Sequence, residues 1–211
     1  MSNPPITADQ LLAAYASGYF PMADDRESEE LYWYYPERRG ILPLATFHVP
    51  GSLRKFLRHC RYEVTVDAEF EAVIRACADA RGPGRSGTWI NDTIIALYSE
   101  LARRGFAHSV ECRQEGRLIG GLYGVSLGGA FFGESMFSLA TNASKVALVH
   151  LVERLKRAGY LLLDAQYVNK HLTQFGVQEV VREDYLALLE KALNASPNPS
   201  TRFLTASDIK S

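Results

Sequence analysis

Several residues in this 211-residue chain have types and spacings suited to chemistry. In "YLLLDAQYVNKH", residues 160–171, an apolar run meets a carboxylate, Asp164, and an amide, Gln166. Side chains two apart on a strand share a face, so Asp164 and Gln166 should project together with Leu162, and Leu161, Leu163 and Ala165 to the other side. A polar pair ending an apolar strand stands where open sheets carry their sites. Helix capping and loop satisfaction would use the same two residues, and the pair alone does not choose. In "FFGESMFS", Glu134 interrupts an apolar strand, where a carboxylate is costly unless cations or hydrogen-bond donors meet it. Its partner is either Lys145, a nearby arginine, or a cationic group of a substrate. Trp89 in "TWI" is a core residue or a stacking platform. Arg54, Arg58 and Arg61 recur at helical spacing, with Arg81 and Arg85 in the following glycine-rich "RGPGRSG". Such a charged face is by default merely solvated.

Composition excludes several classes. A net charge of -1 gives no global signature of nucleic-acid binding, so a polyanion must be met by a local patch. Three widely spaced cysteines and five histidines without ligand spacing fit neither a disulfide framework nor a metal site. The N-terminus lacks a basic region followed by an apolar one, and no run reaches the roughly 18 apolar residues of a membrane span. The expectation is a cytoplasmic monomer without metal or cofactor and with no membrane partner.

The elements that must position these residues can be read in order. Thr7–Gln10 is a capping box opening a short helix to Ala16. The aromatic and charged stretch from Tyr19 to Leu44 reads as a packed loop. Residues 52–61 read as a helix, 62–67 as a strand, and Asp67 as the cap of a helix to about Ala80. Asn91 caps a helix ending at Gly105. Three strands with turns at Glu115-Gly116 and Gly128-Gly129 form an antiparallel meander. A long helix follows from the "NASK" segment to Gly159, then the strand bearing Asp164, a short helix, a strand and a final helix. The fold class is α+β. A meander followed by a crossover helix and a further strand resembles the acetyltransferase-like (GNAT) fold, as a mixed sheet flanked by helices. The division expected is a small, trimmed aromatic and basic N-terminal domain over 1–61, a GNAT-like catalytic domain over 62–194, and a flexible tail over 195–211. The junction "FSLATNASKVAL" lacks the Gly-x-Gly turn that grips the pyrophosphate of coenzyme A, which argues against that donor.

The strings "YFPM", "RGILPL", "TWIND", "HSVE", "IGGLYG", "FFGESMFS", "NASKVAL" and "LLLDAQ..NKHL..FG", in this order from about residue 11 to 194, resemble the leucyl/phenylalanyl-tRNA–protein transferase family. The chain has Ala165 where the family usually has cysteine, and Trp33-Tyr34-Tyr35 where it often has adjacent tryptophans. The resemblance implies transfer of Leu, Phe or Met from aminoacyl-tRNA to a protein or peptide with N-terminal Arg or Lys, marking it for degradation. It implies Asp164 and Gln166 as the catalytic pair, and Leu122, Phe131, Met136 and Leu148 as the lining of a donor side-chain slot. Glu134 is the expected partner of the acceptor's Arg or Lys head group, with Asn169 as a lesser candidate near the same site. Trp89 and Trp33 would stack on the terminal adenosine. Arg54, Arg58 and Arg61, with Arg81 and Arg85, would take the tRNA. The alternatives are another aminoacyl-tRNA–protein transferase, a CoA-dependent N-acetyltransferase, or a non-catalytic binder of basic N-termini.

An ester-to-amide exchange runs downhill and requires no metal or ATP. A free α-amine with pKa about 7.8 is roughly one-tenth unprotonated at pH 7, a cost of about 1.4 kcal/mol. Positioning is worth on the order of 7–11 kcal/mol, so the site should act mainly as a clamp. A neutral amide is too weak a base to take the amine proton. Asp164 is therefore expected to face the incoming ammonium, and Gln166 to fix the amine or the ester carbonyl.

Overall fold

The computed structural model of the chain describes residues 6–28, 30–80 and 87–197. In chain order the elements are α1 (Ala8–Ala16), β1 (Phe20–Met22), β2 (Tyr32–Tyr34), β3 (Arg38–Ile41), α2 (Gly51–Leu57), β4 (Glu63–Val66), α3 (Phe70–Asp79), α4 (Asp92–Arg103), β5 (Ala107–Gln114), β6 (Arg117–Leu127), β7 (Ala130–Ser138), α5 (Ala143–Ala158), β8 (Leu162–Gln166), α6 (Lys170–Thr173), β9 (Gln178–Val181) and α7 (Arg182–Leu193). No helix among the described residues is long and apolar enough to cross a membrane. None of their His, Cys, Asp and Glu residues group in threes or more in a way that could hold a metal.

Seven strands form a mixed sheet in the order β4-β5-β6-β7-β8-β3-β9, and β1 and β2 form a separate ribbon. The meander β5–β6–β7 is antiparallel, and α5 carries the chain over to β8, parallel to β7. One core, with α1, α3, α4 and α7, covers one face; a second, with α2 and α5, covers the other. The apolar stripe of α5 puts Val146, Val152 and Leu155 in the second core.

The stretch read as a packed loop contains three strands. The last of them, β3, lies inside the main sheet, antiparallel to both β8 and β9. Four residues are too few for periodicity to reveal. Gly40 permits the insertion: a Cβ there would lie 2.8 Å from the carbonyl carbon of Tyr167 and 2.9 Å from the nitrogen of Val168. Thus β3 comes from before residue 61 and sits within the sheet built by the chain after it.

Two local readings are corrected. Asp67 does not cap α3, whose N-cap is Glu69; its carboxylate instead accepts the Ser109 N–H at 2.8 Å and contacts His108 Nδ1 at 2.7 Å. Helix α2 ends at Leu57 with Arg58 as its C-cap, short of residue 61. Arg61 therefore leaves the helical face on which the spacing placed it with Arg54 and Arg58.

Candidate active site

The sheet opens between β7 and β8. The two strands pair only from Ala130–Leu162 to Phe132–Asp164, whereas β7 continues beside β6 to Ser138. At the gap lies a cavity of about 1220 Å³. Leu122, Leu148 and Leu163 enter its lining from one core, Trp89 and Tyr123 from the other. The cavity therefore crosses the plane of the sheet.

Glu134 is aimed by a β-bulge. Tyr123 pairs with Ser135 and Gly124 with Gly133, leaving Glu134 as the extra residue of β7. Gly124 tolerates the crowding opposite, where a Cβ would lie 2.2 Å from the Phe132 oxygen. Tyr15 of α1 donates to Glu134 Oε1 at 2.6 Å, Tyr98 of α4 to Oε2 at 3.3 Å, and Gln166 Nε2 to Oε1 at 3.2 Å. The two phenols also share a short hydrogen bond. Burial pushes the Glu134 carboxyl up to about 8, against the opposing pull of the Tyr15 hydrogen bond. The tyrosines are held well above the ordinary phenol value, Tyr15 by burial and then by Glu134, so both stay protonated, and the three contacts among the two phenols and the carboxyl close when Glu134 carries the third proton. Lys145, one expected partner of Glu134, donates to Gln174 at 3.2 Å instead.

Asp164 is fully buried, and its partner is Arg39 of β3, itself only 1% exposed. The guanidinium approaches with Nε at 3.0 Å from Oδ1 and Nη2 at 2.7 Å from Oδ2. Tyr185 of α7 donates to Oδ2 at 2.6 Å, and the Gln166 backbone N–H to Oδ1 at 2.8 Å. Arg39 also donates to the Gly18 carbonyl at 3.1 Å and lies over the rings of Phe20 and Tyr185. Burial opposes its charge, but the neighbouring carboxylate outweighs this and holds the guanidinium above its usual value. With five contacts of 3.1 Å or less on two oxygens, Asp164 has no lone pair left for an incoming ammonium, contrary to the role expected of it. Alternation along β8 also stops early. Gln166 has φ of 55°, a left-handed conformation uncommon outside glycine, and its turned backbone sends the amide side chain to Glu134.

The other expected residues divide. Met136, Asn169 and Trp89 line the cavity with Leu122 and Leu148. Phe131 is fully buried in the core beside the slot. Trp33 is 39% exposed on the β1–β2 ribbon and does not reach the cavity lining. Arg54 and Arg58 are exposed at α2, and Arg61 borders a separate groove of about 590 Å³ with Lys55, His59 and Tyr62. Arg81 and Arg85 fall outside the described residues. Sequence reasoning missed Arg39, Tyr15, Tyr98 and Tyr185. Arg39 stood in plain view within "RGILPL"; the tyrosines carried no signal, because each falls on the apolar face of its helix.

Residues 41–190 match the family model described as leucyl/phenylalanyl-tRNA protein transferase, and residues 5–37 that of the same family's N-terminal domain. The chain belongs to this family. It is 59% identical over 189 residues to the leucyl/phenylalanyl-tRNA–protein transferase of Paramagnetospirillum magneticum, covering 90% of each chain. It is 60% identical over 187 residues to that of Caulobacter vibrioides, covering 89% of this chain and 86% of the relative. The transferase of Phenylobacterium zucineum is 57% identical over 188 residues, 89% of this chain and 85% of its own. The family model for the N-terminal domain ends just before Arg39, so this guanidinium sits at the junction of the two matches.

Proposed function

We propose that the chain transfers leucine or phenylalanine, and also methionine, from aminoacyl-tRNA to the α-amino group of proteins beginning with Arg or Lys. The observation that carries this reading is the contact between Gln166 and Glu134 inside a cavity that has an apolar slot on one side of the sheet and polar groups on the other. Leu122, Met136 and Leu148 suit an apolar donor side chain unbranched at Cβ. A slot of this kind discriminates single methylenes by only about 10–200-fold, which suits several donors.

Because Gln166 and Glu134 touch, an amine that reaches one is within reach of the other. A carboxyl near 8 matches an α-ammonium of about 7.8 far better than an amide does. In its ionised form Glu134 therefore receives the α-ammonium and takes one proton, which frees the nitrogen lone pair to attack the ester carbon; as the C–N bond forms and the C–O bond breaks, a second N–H proton passes to the ribose oxygen, which leaves as a hydroxyl. Gln166 holds the amine or the ester carbonyl. Asp164 acts as a positioning residue, fixing the turned backbone of Gln166 from its ion pair with Arg39. Trp89 stacks on the terminal adenosine, and Arg54, Arg58 and Arg61 take the acceptor stem. The scaffold is read as acetyltransferase-like, supported by the meander, the crossover helix and the parting of β7 from β8. Incubating the protein with labelled Leu-tRNA and an Arg-starting peptide tests the reading: label should pass to the peptide, and no transfer at low salt would sink it.

A further inference from the structure

Among the described residues, the backbone of β7 over Gly133–Ser138 has a strand partner on one side only. Its register with β6 runs to Ser138, while its register with β8 stops at Phe132. All six residues line the cavity. An unpaired strand flank is a template for another chain, and a flank at the wall of the reaction cavity is where a substrate would use it.

We propose that this flank takes the acceptor polypeptide as an added strand, in the place that β8 leaves empty; the proposal rests on the reading that the acceptor is a protein N-terminus. Of the two substrates, only a polypeptide presents N–H and C=O groups at the roughly 3.3 Å spacing of a strand. The reacting end sets its direction. The α-amine must reach Glu134 and Gln166, which touch at 3.2 Å, so the first residue lies at the inner end of the flank. The following residues then run outward toward Ser138 and the exposed Leu139, parallel to β7. Main-chain pairing supplies affinity without reading side chains. An enzyme that inspects only the first residue of many different proteins needs that property. The apolar slot on the α5 side stays free for the donor.

The test uses Arg-starting hexapeptides, each carrying one N-methyl amide at residue 2, 3, 4 or 5, with Leu-tRNA as donor and the full chain as enzyme. In a strand, alternate residues direct their N–H groups to the same neighbour. KM should therefore rise roughly tenfold for methylation at alternate residues and stay near the parent value at those between, with kcat unchanged. Equal KM across the series, or increases that do not alternate, would overturn the proposal. Arginine amide, which has no chain to pair, separates the two readings: if it is aminoacylated while the methylated series is flat, transfer stands and strand docking fails.

Discussion

Arg39 of β3 and Asp164 of β8, 125 residues apart in sequence, meet in a buried ion pair of 2.7 Å. The pair ties the first part of the chain to the backbone that turns Gln166 toward Glu134. Removing one partner of a buried pair leaves an uncompensated charge, worth about 3–5 kcal/mol. Arg39→Met should lower stability by that order, and adding Asp164→Leu should recover much of it without recovering transfer. Urea denaturation and a transfer assay on the same samples check both halves.

Substitutions at Gln166 should separate positioning from stability. Its φ of 55° suits glycine, so Gln166→Gly should keep or slightly raise the melting temperature while kcat/KM falls by roughly 10²-fold. Asp164→Asn should lower both, because it leaves Arg39 unmatched. A Gln166→Gly variant with wild-type kcat would remove the amide from the site.

Glu134 gives the protein a pH signature. Its folded value of about 8 lies above the ordinary carboxyl value of 4.5, so the folded state favours the protonated form. That contribution is complete below about pH 4.5 and is lost as pH rises through 8. Glu134→Gln has no charge to bury and should gain stability over the parent across this window, by roughly 2–4 kcal/mol at its upper end. Its transfer rate should fall on the order of 10²–10⁴-fold. Thermal melts and rates between pH 5 and 9 read out the two effects.

The phenols should tune that carboxyl. The Tyr15 and Tyr98 hydrogen bonds both pull the Glu134 value down. Tyr15→Phe should therefore move the acid limb of the rate profile to higher pH, and Tyr98→Phe should move it less, in line with its longer contact of 3.3 Å. A single-turnover pH profile of each variant measures the displacement.

At the basic surface, Arg54→Ala and Arg58→Ala should raise KM for aminoacyl-tRNA and leave kcat intact. Each lost phosphate contact should reduce the slope of log affinity against log salt by about 1. Arg61→Ala should weaken binding through the groove it shares with Lys55 and His59. A filter-binding series in salt reports all three.

Most of the scaffold was legible because its cues are local. The Thr7 capping box, the Asn91 cap, the turns at Glu115 and Gly128 and the stripe of α5 each declare themselves within a few residues. Glu134 and Gln166 were legible as polar residues out of place in apolar strands. The partnership of Arg39 with Asp164 was not, since no short-range rule joins a four-residue strand to one 125 positions on. Nor were the roles of Tyr15, Tyr98 and Tyr185: a buried tyrosine packs like a phenylalanine, and only the fold shows where its hydroxyl points.

The insertion of β3 between β8 and β9 sets an order of assembly. During synthesis β3 emerges early and has no neighbours until more than a hundred further residues have left the ribosome. β8 and β9 in turn pair with β3 and not with each other. The sheet is therefore sealed by its longest-range pairing, and the turn at Gln166 becomes fixed at the same moment. A chain that ends before β8 can build the meander and α5 and already holds Arg39, yet lacks the Asp164 and Gln166 that this cation must meet, so competence for transfer arrives with completion of the fold.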